Sequence, residues 1–218
     1  MERVGRLCQV AFVLALSAGS SCTSPNTPSP PLASIVATPQ VALQVSTPVS
    51  FRFTGSAGST PSGADAALLY DFGDGTAAQS VIGTPGVDVE PVTHRYRVAG
   101  TYRVTLTVTN PAGGSASAET TVTVRDLTGQ WVLNGDEGQV DLVHSNSRLA
   151  GTLVIGTEER QVRGIAAVST SADRSPAVSF GEPGGVAFSG IVDENFNQMT
   201  GRLTGGGIDL PNVTLTRH

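Results

Sequence analysis

An apolar residue at every second position is the feature that most limits what this chain can fold into. Tyr102-Arg-Val-Thr-Leu-Thr-Val-Thr109 keeps the pattern with little interruption. Val41–Val45, Val49–Phe53 and Thr121–Val124 repeat it, and Ala67–Phe72 is a more continuous apolar run. Side chains alternate faces at period two in a strand and at period 3.6 in a helix, so this spacing predicts strands and excludes amphipathic helices. Gly73-Asp74-Gly75, Ala99-Gly100 and Asn110-Pro-Ala-Gly-Gly114 separate the runs with turn chemistry. Short strands at that spacing predict an antiparallel sandwich over residues 34–125.

A second all-β unit is expected over residues 126–218. Eight strands are predicted, at 130–134, 139–144, 148–155, 159–167, 177–181, 185–193, 198–204 and 212–217. The turns between them include Asn134-Gly135-Asp136, Ser145-Asn146-Ser147, Gly156-Thr157, Gly181-Glu-Pro-Gly184 and Asn195-Phe196-Asn197. Leu149-Ala-Gly151-Thr-Leu153, Phe188-Ser-Gly190-Ile-Val192 and Met199-Thr-Gly201-Arg-Leu203 share the order apolar-x-Gly-x-apolar. Glycine on the apolar face of a strand marks sharp coiling or close backbone approach. Its repetition predicts an up-and-down meander closed into a barrel. Trp131, Val140, Leu142, Leu149, Leu153, Phe180, Phe188, Met199, Leu203, Val213 and Leu215 are the expected interior. Eight strands enclose either a side-chain core or room for one small, here apolar, ligand. His144 is expected at a hairpin end, on the surface. Asp193-Glu-Asn195 is expected to be a polar hairpin tip.

Residues 1–21 have the composition of a secretory signal. Arg3 and Arg6 precede the apolar run Leu7–Ala18, and small residues follow. The run is too short to span a bilayer. Cys22 comes directly after, and the junction resembles the lipobox of bacterial lipoproteins, in which that cysteine is acylated. Gly19 stands where the family usually has leucine. The alternative is cleavage after Ser20, leaving Cys22 as a free thiol. Cys8 lies inside the apolar run and leaves with it, so Cys22 would be alone in an oxidising compartment. Residues 22–33, rich in proline and serine, read as an extended spacer. Together these features predict an exported protein held at the cell envelope by an N-terminal lipid.

The segment Tyr70-Asp71-Phe72-Gly73-Asp74-Gly75 is followed by His94-Arg-Tyr96. Then comes Gly100-Thr-Tyr102-Arg-Val-Thr-Leu-Thr-Val-Thr-Asn110. This order resembles the PKD domain, an immunoglobulin-like sandwich of extracellular proteins, with Tyr70 where that family often has tryptophan. The resemblance implies structural roles for the turn residues and for the His94 position. Physically, Gly73 and Gly75 suit a turn with positive φ, Asp71 and Asp74 suit capping of its amides, and Gly100 suits a turn before Tyr102. Tyr102 suits a tyrosine-corner bond to the backbone. Two carboxylates three residues apart are too few for calcium.

The opening Leu127-Thr-Gly-Gln-Trp131 and the meander behind it resemble calycin barrels of the lipocalin or avidin type. No binding residue carries over, because Trp131 is the only tryptophan.

Composition excludes some functions. The chain has no lysine and a net charge of -5, which disfavours nucleic acid, whose affinity comes from clustered cations. No G-x-S-x-G, H-E-x-x-H or phosphate loop occurs, and neither a cofactor nor a metal site is expected. Gly205-Gly-Gly207 lacks the following Lys and Ser or Thr. Three functions fit: a non-catalytic surface module for extracellular protein or carbohydrate, a carrier of a small apolar ligand, or an accessory of an extracellular hydrolase.

Overall fold

The structure is a computed structural model and describes residues 29–58, 65–83, 88–134, 138–168 and 175–218. The expected signal segment, Cys22 and the turn residues Gly135 and Asp136 lie outside the described residues. Among the described residues no helix is long and apolar enough to cross a membrane.

Among the described residues, eight strands build the N-terminal half: β1 (Ile35–Thr38), β2 (Val41–Leu43), β3 (Val49–Phe53), β4 (Ala66–Asp71), β5 (Gln79–Gly83), β6 (Val92–His94), β7 (Gly100–Thr109) and β8 (Ser115–Arg125). They form two sheets, ordered β1-β3-β6 and β2-β8-β7-β4-β5. The β7–β8 hairpin is the longest ladder, in register from Gly100↔Val124 to Thr109↔Ser115. Alternation explains the two layers. Leu68, Tyr70, Val104, Leu106, Val108 and Val122 point inward to meet Val49, Phe51 and Val92 of the facing sheet, and all are buried. Each such side chain contributes roughly 1.5–3 kcal/mol when taken out of water.

The C-terminal half is a closed antiparallel barrel of β9 (Gly129–Leu133), β10 (Gly138–Ser145), β11 (Arg148–Ile155), β12 (Glu158–Val168), β13 (Pro176–Gly181), β14 (Ala187–Val192), β15 (Gln198–Gly205) and β16 (Ile208–Arg217). Each strand pairs with its neighbour in sequence. The ring closes where β16 meets β9, at Leu215↔Leu133, Thr216↔Val132 and Arg217↔Trp131. The all-β class, the sandwich and the eight-stranded barrel read from the sequence are thus observed. β16 starts at Ile208 rather than 212, because Gly205, Gly206 and Gly207 all take positive φ and turn the hairpin at once. A register shift between Gly201 and Leu203 then lets β16 follow the curved wall.

Two further expectations are corrected. The alternating run Val41–Val45 is a strand only to Leu43. Beyond it Val45 takes φ 57, and Ser46 N–H donates to the Gln44 carbonyl at 2.5 Å, which turns the chain sharply. The spacer expected to run to residue 33 is already fixed to the sandwich. Leu32 and Ser56 exchange both backbone hydrogen bonds at 2.7 Å, and Asn110 Nδ2 donates to the Ser29 carbonyl at 3.3 Å.

Candidate functional site

Three places concentrate the residues singled out from the sequence: the turn after β4, the barrel interior, and the contact between the two halves.

The turn after β4 folds around its own carboxylates. Asp71 Oδ1 accepts the Gly73 amide at 2.9 Å. Asp74 Oδ1 accepts both the Thr76 amide at 3.1 Å and the Thr76 hydroxyl at 2.6 Å. Gly73 has φ +72, and an added Cβ would press on the Arg103 backbone of β7, so only glycine fits there. Gly75 has φ +79 but faces open space. Gly100 is different from its expected role. It opens β7 without a left-handed φ, and a Cβ there would make ordinary 3.5 Å contact with the Tyr102 ring, so neither backbone nor space demands glycine.

His94, at the end of β6, donates from Nε2 to Asp74 Oδ2 at 2.7 Å and so links the two sheets. Its ring stacks on Phe72 at 4.0 Å and meets the Tyr96 ring edge-on at 4.7 Å. Tyr96 stacks on Tyr102 at 4.5 Å. Tyr96 Oη donates to the Phe72 carbonyl at 3.3 Å, and Tyr102 Oη to the Val98 carbonyl at 2.8 Å. Burial opposes ionisation of Asp74, but the bonds from Thr76 and His94 outweigh it and hold the carboxyl below its usual value. Burial, reinforced by Asp74, pushes the Tyr96 phenol above its usual range. Both Asp74 oxygens are therefore engaged within the protein, and the histidine's partner is a carboxylate that caps a turn. Tyr70 is fully buried, and its hydroxyl finds no partner among the described residues.

The barrel interior is a single apolar cluster. Trp131, Val140, Leu142, Leu149, Leu153, Phe180, Phe188, Met199, Leu203, Val213 and Leu215 all belong to it. Phe180 and Phe188 sit directly opposite each other on β13 and β14 and stack at 5.1 Å. Gly190 and Gly201 are also register partners, and an added Cβ on Gly201 would lie 2.6 Å from Gly190 Cα. Two backbones therefore approach where large rings on both sides need the volume.

The end of the barrel nearest the sandwich is closed from three directions. Phe196, with φ 59, is buried from the β14–β15 turn, where Asp193 Oδ1 accepts the Asn197 and Gln198 amides at 2.8 Å. Leu127 is buried beneath the connecting segment, and its carbonyl accepts the Trp131 indole N–H at 3.0 Å. Leu43, a sandwich residue, belongs to the barrel's apolar cluster and is 1% exposed. Beside it, Gln44 Nε2 donates to the His144 carbonyl at 3.1 Å, and Ser46 Oγ donates to the Ala166 carbonyl at 2.8 Å.

His144 is the clearest correction to the sequence reading. It is not a surface residue but 6% exposed, covered by the connecting segment and the sandwich. The signal was present in its parity: Val140, Leu142 and His144 are alternate residues on one face of β10. The roles of Leu43, Gln44 and Ser46 had no comparable signal, because contacts across a hundred residues leave no local pattern.

The fold and these sites define a class of protein: an all-β chain whose sandwich is joined end to end with a closed barrel. Residues 29–125 match the family model of the PKD domain, in agreement with the motif that runs from Tyr70 to Asn110. No curated protein matches the chain. A solved structure from work on the "structural basis for the promiscuous specificity of the carbohydrate-binding modules from the beta-sandwich super family" is 18% identical, covering 88% of this chain and 85% of that one with a TM-score of 0.36. Among the described residues no group of three or more His, Cys, Asp or Glu is placed to hold a metal ion.

Proposed function

We propose that this chain is an exported lipoprotein, acylated at Cys22, whose PKD-like sandwich is a stalk presenting the barrel as a non-catalytic binding module for extracellular protein or carbohydrate. One observation carries this reading: the polypeptide enters and leaves the sandwich at opposite ends. Ser29 is held by Asn110, and Pro31 lies against Gly114, both at the β7–β8 turn. The barrel begins just past Arg125, at the other end of β8. Eleven residues of strand separate the two points. At about 3.3 Å per residue that is roughly 36 Å. A lipid anchor preceding Ser29 would therefore join the sandwich at one end, with the barrel at the other.

The side chains facing outward from that far end include Glu158, Glu182 and Arg160, with Arg160 bridging both carboxylates. Among the described residues, hairpins there turn on Gly156, Gly184 and Gly205–Gly207. The contiguous cluster of side chains inside the barrel favours recognition on its outer surface over carriage of an apolar ligand within it.

Intact-mass analysis of the exported protein tests the anchor. Diacylglycerol on Cys22, lost in Cys22→Ala together with membrane retention, is the expected result. An unmodified terminus at Ser21 or Cys22 would reject it. A glycan array and cross-linking on intact cells test the binding module. Capture that weakens when Glu158 and Glu182 are both changed to alanine supports the barrel rim as the contact face. Blank results in both assays would remove the binding reading and leave the anchor standing.

A further inference from the structure

We infer that the contact between sandwich and barrel is an acid-released latch, with His144 as the group that senses the proton. The argument begins with hydrogen-bond polarity. The Leu127 amide donates to His144 Nδ1 at 3.3 Å, so Nδ1 presents its lone pair and the ring is the neutral tautomer protonated at Nε2. Nε2 has no hydrogen-bond partner of good geometry, although the ring is buried. Protonation makes Nδ1 a donor as well. Two donors would then face each other in a buried space, and one has to leave.

Leu127 and His144 are both placed where such a change is transmitted. Leu127 lies in the segment connecting β8 to β9. Its carbonyl holds the Trp131 indole N–H, and its side chain belongs to the barrel cluster. The backbone of His144 carries the sandwich contact: its N–H donates to Thr128 Oγ1 at 3.0 Å, and its carbonyl accepts Gln44 Nε2. A displaced His144 therefore loosens the connecting segment and the Gln44 bond together.

The opposing side of the joint is held under strain. Val45 is β-branched with φ 57, a backbone region in which such residues are outliers. Its N–H donates to the Tyr96 carbonyl at 2.7 Å, and Arg95 Nη1 holds the carbonyls of Val45 and Ser46 at 2.8 and 2.7 Å. This turn presses Leu43 and Gln44 onto the barrel.

The charges around His144 set the direction. Asp126, on the connecting segment, attracts an imidazolium, and Arg217 of β16 bonds Asp126 Oδ1 and its carbonyl. Arg125 ends β8, and its carbonyl takes the Gln44 amide. The turn at Gln44–Thr47 brings no charged side chain. Burial holds the ring below its usual value of 6.5, while Asp126 and the Asn146 backbone pull it partly back. The exposed, open form thus takes up a proton at higher pH than the docked form, and acidification below about 6.5 favours opening.

Hydrogen exchange on the full chain tests this, read peptide by peptide between about pH 7.5 and 4.5 after correction for intrinsic rates. Exchange around Gln44 and Leu127 is expected to rise severalfold on acidification relative to β7 and β13. β7 and β13 should stay protected throughout. His144→Gln keeps an acceptor for the Leu127 amide at every pH, so its joint should remain closed. Should that variant not fold, the wild-type His144 ring resonance, followed by NMR, must titrate with the same midpoint as the joint amides. Joint peptides no more acid-sensitive than β7 and β13, an unchanged acid response in His144→Gln, or non-coincident midpoints would each overturn the latch.

Discussion

Replacing Gly201 by alanine opposes two effects of known sign, so its outcome is decisive for how the barrel is packed. Gly201 lacks a left-handed φ, and in a compatible backbone Gly→Ala stabilises by ~0.4–1 kcal/mol by restricting the unfolded chain. Space argues the other way. A Cβ on Gly201 would stand 2.6 Å from Gly190 Cα and 2.8 Å from the Ser189 carbonyl carbon, and nearer still to the Ser189 oxygen. All three are backbone atoms on β14, and ordinary contact begins at 3.4 Å. The strands must therefore separate by about 1 Å, since no rotamer change relieves the clash. Overpacking costs ~1–3 kcal/mol, and stretching the adjacent ladder bonds adds about 1 kcal/mol for each bond lost. The expected net loss is roughly 3 kcal/mol, or about 12–24 °C in Tm for a unit of some 90 residues. Thermal unfolding followed by circular dichroism and Trp131 emission measures it. Gly156→Ala is the comparison: its φ is +60 with nothing within 4 Å, so it bears only the left-handed penalty of ~1–2 kcal/mol. A Gly201→Ala protein as stable as wild type, or less affected than Gly156→Ala, would refute the close-approach reasoning.

Three other changes have definite signs. Tyr70→Phe removes a buried hydroxyl without a partner and should stabilise by about 1 kcal/mol, seen as a higher urea midpoint at unchanged slope; a loss of stability would mean the hydroxyl is bonded. Tyr102→Phe deletes the bond to the Val98 carbonyl and should cost about 1 kcal/mol in the same assay, with no cost arguing against a tyrosine-corner role. Because the Asp74 carboxyl is held below 3.8 in the fold, its stabilising contribution is complete above that pH and is lost as pH falls through the folded-state value. The stability gap between wild type and Asp74→Asn should accordingly be constant above about pH 4 and shrink below it, and a gap that widens on acidification would contradict the sign.

Much of this architecture is legible in local pattern. Period-two runs such as Tyr102–Thr109 need only the pleat of a strand to divide their side chains between core and water. The turn glycines mark where a chain without helices must reverse. In the barrel, the apolar-x-Gly-x-apolar repeat names both interior residues and the places where backbones crowd. The same parity rule points His144 inward, although a polar side chain at a strand end invites a surface assignment. The pairing of Asp74 with His94 is less legible. The two lie twenty residues apart and meet because β4 and β6 belong to facing sheets.

Local pattern marked the barrel strands, the runs that became β2, β3, β4, β7 and the end of β8, and the turns between them, because each depends on neighbours within a few residues; it did not mark β1, β5 or β6. Folding in three dimensions set the rest: Leu43 leaves its own sandwich to enter the barrel's apolar cluster, and Gln44 and His144 share a hydrogen bond. These depend on which surfaces remain unburied after each half has formed. A residue's hydrophobicity records that it will be buried, but not against what.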